Sequence, residues 1–195
     1  MVIDCEVELG NRYLTPELIK MVVSQFRLPI SGVHGPSHWM RVRKNGLMLA
    51  EKTGANTNVI ELFALFHDSC RVTDDRDNEH GYRGGELAQR FFNAGALACD
   101  EAELAVLKEA CRGHTGGVSP QNPTIATCWD ADRLDLPRVF VSVNPLLMCT
   151  EFGKNPELIN QAAMRAQRWA YGRRRCTLKC HDEWVVSKPR KIGPL

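Results

Sequence analysis

Three observations predict an all-helical fold. Apolar residues recur at three- and four-residue spacing along most of the chain, capping residues open most of those segments, and alternation with a period of two is scarce. Val139 to Val143 is the single strand candidate. The 195 residues fit one domain, or one domain with a tail, and 44% hydrophobic residues suffice for one sizeable core. The division expected is a helical domain over residues 1–175 and a C-terminal tail over 176–195, where periodicity is weak.

The elements follow in order. Thr15-Pro16-Glu17 opens a first helix with a capping hydroxyl, a proline in the first turn and an acid; Leu18, Met21, Val22 and Phe26 share one face. Ser37 is placed to cap a second helix running through His38 to Lys52 and stopping near Gly54. Thr57 or Asn58 caps a third, in which Leu62-Phe63-Ala64-Leu65-Phe66 is apolar on every side, as in a buried helix. Gly81 to Asn93 forms a fourth, with Leu87, Ala88, Phe91 and Phe92 inward. Asp100 caps a fifth carrying Leu104, Leu107 and Cys111. Pro123 to Leu134 is the sixth, and Asn155-Pro156-Glu157 opens a seventh with Leu158, Ile159, Ala162, Ala166 and Trp169.

Composition narrows the function classes. Net charge is +2, so bulk charge carries no nucleic-acid signal. Arg173-Arg174-Arg175 and Lys188, Arg190 and Lys191 are local basic runs of the kind found on solvated surfaces. No stretch reaches the roughly 20 apolar residues of a membrane span, and the N-terminus lacks a signal-peptide pattern. A cytoplasmic protein without membrane partners is expected, and an oligomer is compatible with this composition. The eight cysteines, several in apolar helical segments, read as buried free thiols. Cys176, Cys180 and His181 lack the paired spacing of a zinc site.

The chemistry concentrates in His67-Asp68, at the end of the most apolar helix. A carboxylate buried there is costly unless compensated, and a divalent cation is the simplest partner. Taken alone, the pair favours the plainer reading of a helix-terminal Asp bonded to backbone beside a core His. His38 stands early on an amphipathic helix, and Asp130 lies within Trp129-Asp130-Ala131-Asp132-Arg133-Leu134-Asp135. Two imidazoles and two carboxylates without thiolate suit manganese, iron, cobalt, nickel or magnesium. Water bound to such an ion is acidified into a nucleophile near neutral pH.

The order His38, His67-Asp68, Asp130 resembles the H…HD…D signature of the HD-domain superfamily of metal-dependent phosphohydrolases. The context around these residues is similar too. His38-x-x-Arg41-Val42 resembles the family's first helix, and His67-Asp68-Ser69-Cys70-Arg71 its HD-x-x-K/R turn. His80-Gly81-Tyr82-Arg83-Gly84-Gly85 resembles an H-x-x-x-G-A helix start, and His114 falls where another family histidine lies. Asp130-Ala131-Asp132-Arg133-Leu134-Asp135 looks like the D-A-D-x-L-D ending. The likeness covers about residues 34–136 and implies an HD-domain helical bundle. Departures narrow it. Arg71 and Val72 replace the acidic pair of the (p)ppGpp hydrolases, and His114-Thr115-Gly116-Gly117 matches neither the HHE nor the GYP motif of cyclic-di-GMP phosphodiesterases.

The resemblance implies a metal set of His38, His67, Asp68, His80, His114 and Asp130, holding one or two divalent ions with the HD aspartate bridging. Asp68, Arg71 and His114 are the residues expected to act in catalysis. Arg71 would bind a phosphate oxygen, or pair with Asp74, Asp75 or Asp77. In a mononuclear site, His80 and His114 would instead be substrate contacts or proton donors. Arg41 and Arg133, each three residues after a proposed ligand, are expected to orient a carboxylate in preference to binding phosphate. His34 either lines the entrance or is a hydrogen-bonded surface histidine. Gly84 and Gly85, unfavourable within a helix, mark either close helix packing or surface drift. The activity implied is hydrolysis of a small phosphate ester or nucleotide. A di-iron oxygenase on the same six ligands is the alternative, and a non-catalytic signalling module a third.

Overall fold

The computed structural model describes residues 13–175 apart from Val118, with side chains up to Gly172. Seven α-helices follow in order: α1 (Pro16–Gln25), α2 (Pro36–Thr53), α3 (Thr57–Phe66), α4 (His80–Asn93), α5 (Glu101–Gly113), α6 (Pro123–Arg133) and α7 (Pro156–Arg175). Short 3₁₀ turns at Leu136–Val139, Pro145–Leu147 and Phe152–Lys154 connect α6 to α7. No strand occurs among the described residues. The strand candidate at Val139 to Val143 instead ends a 3₁₀ turn that Pro137 favours. Phe140 there has φ of 63°, a left-handed value that ends any extended run.

Local chemistry explains the helix starts. Thr15 Oγ1 accepts from the Leu18 N–H at 3.1 Å, ahead of Pro16. Asp100 and Glu103 form a reciprocal capping box. Two starts differ from the sequence reading. Gly35, not Ser37, precedes α2, and Asn56 caps α3, its Oδ1 accepting from the N–H groups of Asn58 and Val59.

Helix α3 is the axis of the bundle. Every residue from Val59 to Phe66 is buried, and α1, α2, α4, α5 and α6 pack around it. Trp39, Phe63 and Phe66 are the largest fully buried side chains. On the far side, α7 leans on α2 and the 3₁₀ turns. Arg165 Nη2 donates to Asn45 Oδ1 and Asn45 Nδ2 to the Ala131 carbonyl, joining α7, α2 and α6. Cys70, Cys99, Cys111, Cys128 and Cys149 are free thiols, and burial pushes those of Cys111 and Cys128 up. No described helix is long and apolar enough to cross a membrane. Cys5, the Cys176/Cys180/His181 group, Lys188, Arg190 and Lys191 lie outside the described residues, as do the side chains of Arg173 to Arg175.

Gly84 and Gly85 mark close packing. A Cβ at Gly84 would collide with the Phe66 carbonyl, and one at Gly85 would lie 3.4 Å from the Lys108 backbone. Helix α4 can therefore rest against the end of α3, which carries His80 up to Asp68. Gly84→Ala is expected to destabilise the protein by about 1–3 kcal/mol. Urea unfolding measures this, and an unchanged midpoint would mean that α4 does not lie against α3 this closely.

Candidate metal centre

Five helices deliver one polar cluster to the middle of the bundle. His38 comes from the first turn of α2, His67 caps the end of α3 with Asp68 directly after it, and His80 opens α4. His114 caps the end of α5, and Asp132 lies in the last turn of α6. The four histidines and Asp68 are 0–4% exposed, and the Asp132 side chain is 16% exposed.

The imidazoles meet in two pairs. His38 Nε2 lies 3.0 Å from His67 Nε2, and His80 Nε2 lies 2.9 Å from His114 Nε2. In every ring Nδ1 faces an oxygen that only accepts. His38 Nδ1 is 2.7 Å from Asp135 Oδ2, and His67 Nδ1 is 3.1 Å from the Phe63 carbonyl. His80 Nδ1 faces the Asp77 carbonyl, and His114 Nδ1 is 2.7 Å from the Cys111 carbonyl. Each neutral ring thus carries its proton on Nδ1 and points a lone pair from Nε2 at its neighbour's lone pair.

Asp68 stands between the pairs. Its Oδ2 is 3.4 Å from His38 Nε2 and 3.7 Å from His67 Nε2, while its Oδ1 is 3.3 Å from His80 Nε2 and 3.8 Å from His114 Nε2. Asp132 Oδ1 adds to the first pair, 3.3 Å from His38 and 3.9 Å from His67. The donor atoms of His38, His67 and Asp132, and likewise those of Asp68, His80 and His114, lie within 4.8 Å of one another. Facing lone pairs and carboxylate oxygens repel unless a proton or a metal cation lies between them, and the two groups of donors fit divalent ions. Their nitrogen spacing also fits: two donors about 2.1 Å from a common ion are about 3.0 Å apart at the octahedral angle and about 3.4 Å apart at the tetrahedral one.

Electrostatics reflect this crowding. Burial, opposed in part by Asp68 and Asp132, pushes His67 down to about 3. At His38, burial and Arg138 lower the pKa, but hydrogen bonds to Asp132, Asp135 and Asp68 outweigh them and raise it to about 9. Burial raises the Asp68 and Asp132 carboxyls, yet the surrounding imidazoles hold both far below the usual carboxylate range.

Asp130, expected among the ligands, belongs to neither trio. Its carboxylate accepts from the Cys149 N–H at 2.7 Å, the Thr150 N–H at 2.8 Å and the Thr150 hydroxyl at 2.7 Å. It anchors the chain between two 3₁₀ turns, and burial raises its pKa. Two residues along a helix turn the side chain by about 200°, so Asp130 and Asp132 face opposite ways. The readable signal was Asp132 and Asp135, three apart and so on one face, the face that also has to support His38.

The arginines divide. Arg41 grips Asp135 with Nε at 2.7 Å from Oδ1 and Nη2 at 3.0 Å from Oδ2, so it steadies the carboxylate that holds His38. Arg133 donates to the Leu147 and Gly117 carbonyls and holds loops. Arg71 Nη1 lies 3.4 Å from Asp68 Oδ1 and 3.2 Å from His80 Nε2, while its other nitrogens donate to the Thr73 and Asp75 carbonyls. Asp77 pairs with Arg83 and Asp74 with His34.

No family model and no curated protein matches this chain. Its structure is similar to the crystal structure of a predicted HD superfamily hydrolase from an uncultured Thermotogales bacterium. The two are 23% identical with a TM-score of 0.59, over 82% of this chain and 90% of the other. That likeness shows the HD-type helical fold.

Two outcomes follow from this geometry. Asp132→Ala should lower the bound metal measured by elemental analysis. Asp130→Ala should keep the metal and cost about 1–3 kcal/mol of stability, because its buried donors lose their acceptor. The reverse pattern would restore Asp130 to the site. Second, His38 must lose its proton to become a ligand, and about one proton should leave on metal binding at pH 7.5. Manganese titration calorimetry in buffers of differing ionisation heat reports it. Because the folded pKa of about 9 lies above 6.5, the ion-free protein holds this group's stabilisation below pH 6.5 and loses it as pH rises through about 9.

Proposed function

We propose that this chain is a metal-dependent phosphohydrolase that acts on a small phosphate ester or nucleotide through a metal-activated water. The observation that carries the reading is the split of the Asp68 carboxylate, one oxygen toward each imidazole pair. A bridging carboxylate between two sites of neutral imidazole and carboxylate suits hard-to-borderline divalent ions such as manganese, iron, cobalt, nickel or magnesium. Ions bound there lower the pKa of a coordinated water and take up charge on phosphoryl oxygens.

The chain's own residues do the rest. His38, His67 and Asp132 would hold one ion, and His80 and His114 the other together with Asp68, whose second oxygen also faces the first pair. His114 is read as a ligand because its Nδ1 is committed to the Cys111 carbonyl and its Nε2 faces His80. Arg71 is the cation beside the cluster, with its side chain 12% exposed. Its planar fork suits a phosphate oxygen.

Metal analysis of the purified protein, followed by a screen of nucleotides and phosphate esters with each of these ions, tests the proposal. Two ions per chain and ion-dependent phosphate release are expected. No turnover of any phosphate ester would refute it, and oxygen consumption with a mixed-valent iron signal would replace it with oxygenase chemistry. Arg71→Ala should retain wild-type metal content and raise KM about 10- to 100-fold, matching the loss of one charge-assisted hydrogen bond. Loss of metal in that variant would make Arg71 a support for Asp68 and His80.

A further inference from the structure

We propose that His34, oriented by Asp74, is a catalytic residue that protonates the leaving-group oxygen, an inference that rests on the phosphohydrolase reading above. His34 Nδ1 lies 2.8 Å from Asp74 Oδ1, so the ring donates from Nδ1 and turns Nε2 away from Asp74. Among the described residues Nε2 has no hydrogen-bond partner. The ring stands edge-on to the metal-facing His38, their centroids 6.4 Å apart. Its side chain is 11% exposed, so it borders the buried cluster and still reaches solvent. In the other four described histidines Nδ1 faces an oxygen and Nε2 faces a partner ring, whereas the Nε2 of His34 is directed at neither pair.

Both halves of the His34–Asp74 pair are built from the metal cluster outward. The loop bearing His34 is held where the Trp39 indole N–H donates to the His34 carbonyl and Arg138 Nε donates to the Val33 carbonyl, each at 2.8 Å. Arg138 also lies 3.7 Å from the Asp135 carboxylate that supports His38. Asp74 sits between two carbonyls, those of Thr73 and Asp75, that both accept from Arg71. Arg71 in turn reaches Asp68 and His80. A surface ion pair contributes little and needs no such framing. Two arginines rooted in the cluster fix the two partners separately, as a positioned acid requires. Burial lowers the His34 pKa, Arg71 and Arg138 act in the same direction, and Asp68 and Asp74 oppose them in part.

The step balances. A water oxygen forms a new bond to phosphorus and gives up one proton to solvent as the bond from phosphorus to the ester oxygen breaks. The electron pair of that bond stays on the ester oxygen, which takes the proton from His34 Nε2. The products are an alcohol and phosphate, and the neutral imidazole, still donating from Nδ1 to Asp74, regains a proton from solvent.

The test compares two esters on the manganese-loaded full chain. The nitrophenolate of 4-nitrophenyl phosphate leaves without a proton, whereas phenyl phosphate expels the anion of a phenol with pKa of about 10. His34→Asn should cut kcat on phenyl phosphate about 10²- to 10³-fold and on the nitrophenyl ester only about threefold or less, with metal content unchanged. Asp74→Asn should shift the ratio the same way by a smaller factor. It should also remove the downfield Nδ1–H signal of His34 from the NMR spectrum, a readout independent of turnover. Equal losses on both esters would overturn the acid role while leaving the hydrolase reading intact. Absence of wild-type turnover on both aryl esters and across the nucleotide and phosphate-ester screen would refute the hydrolase reading and this inference with it.

Discussion

A carboxylate at the end of a helix buried on every side has to be compensated, and the arrangement of this bundle can be read from how that is done. Residues Val59 to Phe66 of α3 leave no solvent-facing side, so Asp68 follows into the interior. The cost of an uncompensated charge there far exceeds any single packing contact. Four imidazoles from the starts of α2 and α4 and the ends of α3 and α5 surround it, each held by Nδ1 so that Nε2 turns inward. The resulting donors repel one another unless a proton or a metal cation lies between them. The polar centre is thus a binding device set inside an apolar bundle.

Around this centre, arginine side chains translate position into order. Arg41 and Arg138 hold Asp135, and Asp135 holds His38, so one metal-facing imidazole is braced through two cations on different elements. Arg71 reaches Asp68 and His80 and ties down the loop at 73–75. Such outer contacts fix tautomer and ring orientation before any ion arrives. Close helix approach is the other half of the device. Without the gap at Gly84, α4 would stand off from α3 and His80 would miss Asp68.

Asp130 shows that a buried aspartate within the right motif need not face the site. It caps the turns that follow α6 by accepting from Cys149 and Thr150. Its neighbour Asp132, on the opposite side of the same helix, meets His38 and His67. The motif carries two carboxylates two residues apart, and linear order does not say which way α6 is turned.

Local chemistry written in the sequence determined the seven helices, the caps at Thr15 and Asp100 and the burial of α3, because caps and apolar periodicity act over a few residues. His67-Asp68 stands out in the sequence as a polar pair at the end of an apolar run, while His38, His80 and His114 are singled out by the motifs around them and their resemblance to a known family. Tertiary structure decided what depends on how separate helices are rotated and how far apart they lie. That includes the placement of Asp132, and not Asp130, beside His38 and His67, the contact of Asp135 with His38, the pairing of His38 with His67 and of His80 with His114, and the seating of His34 against Asp74. The 3₁₀ turn in place of a strand near Val139 belongs with these, since Pro137 and the left-handed Phe140 outweigh its β-branched composition. Helix rotation is set by core packing summed over the whole bundle, a quantity that no local stretch of sequence contains.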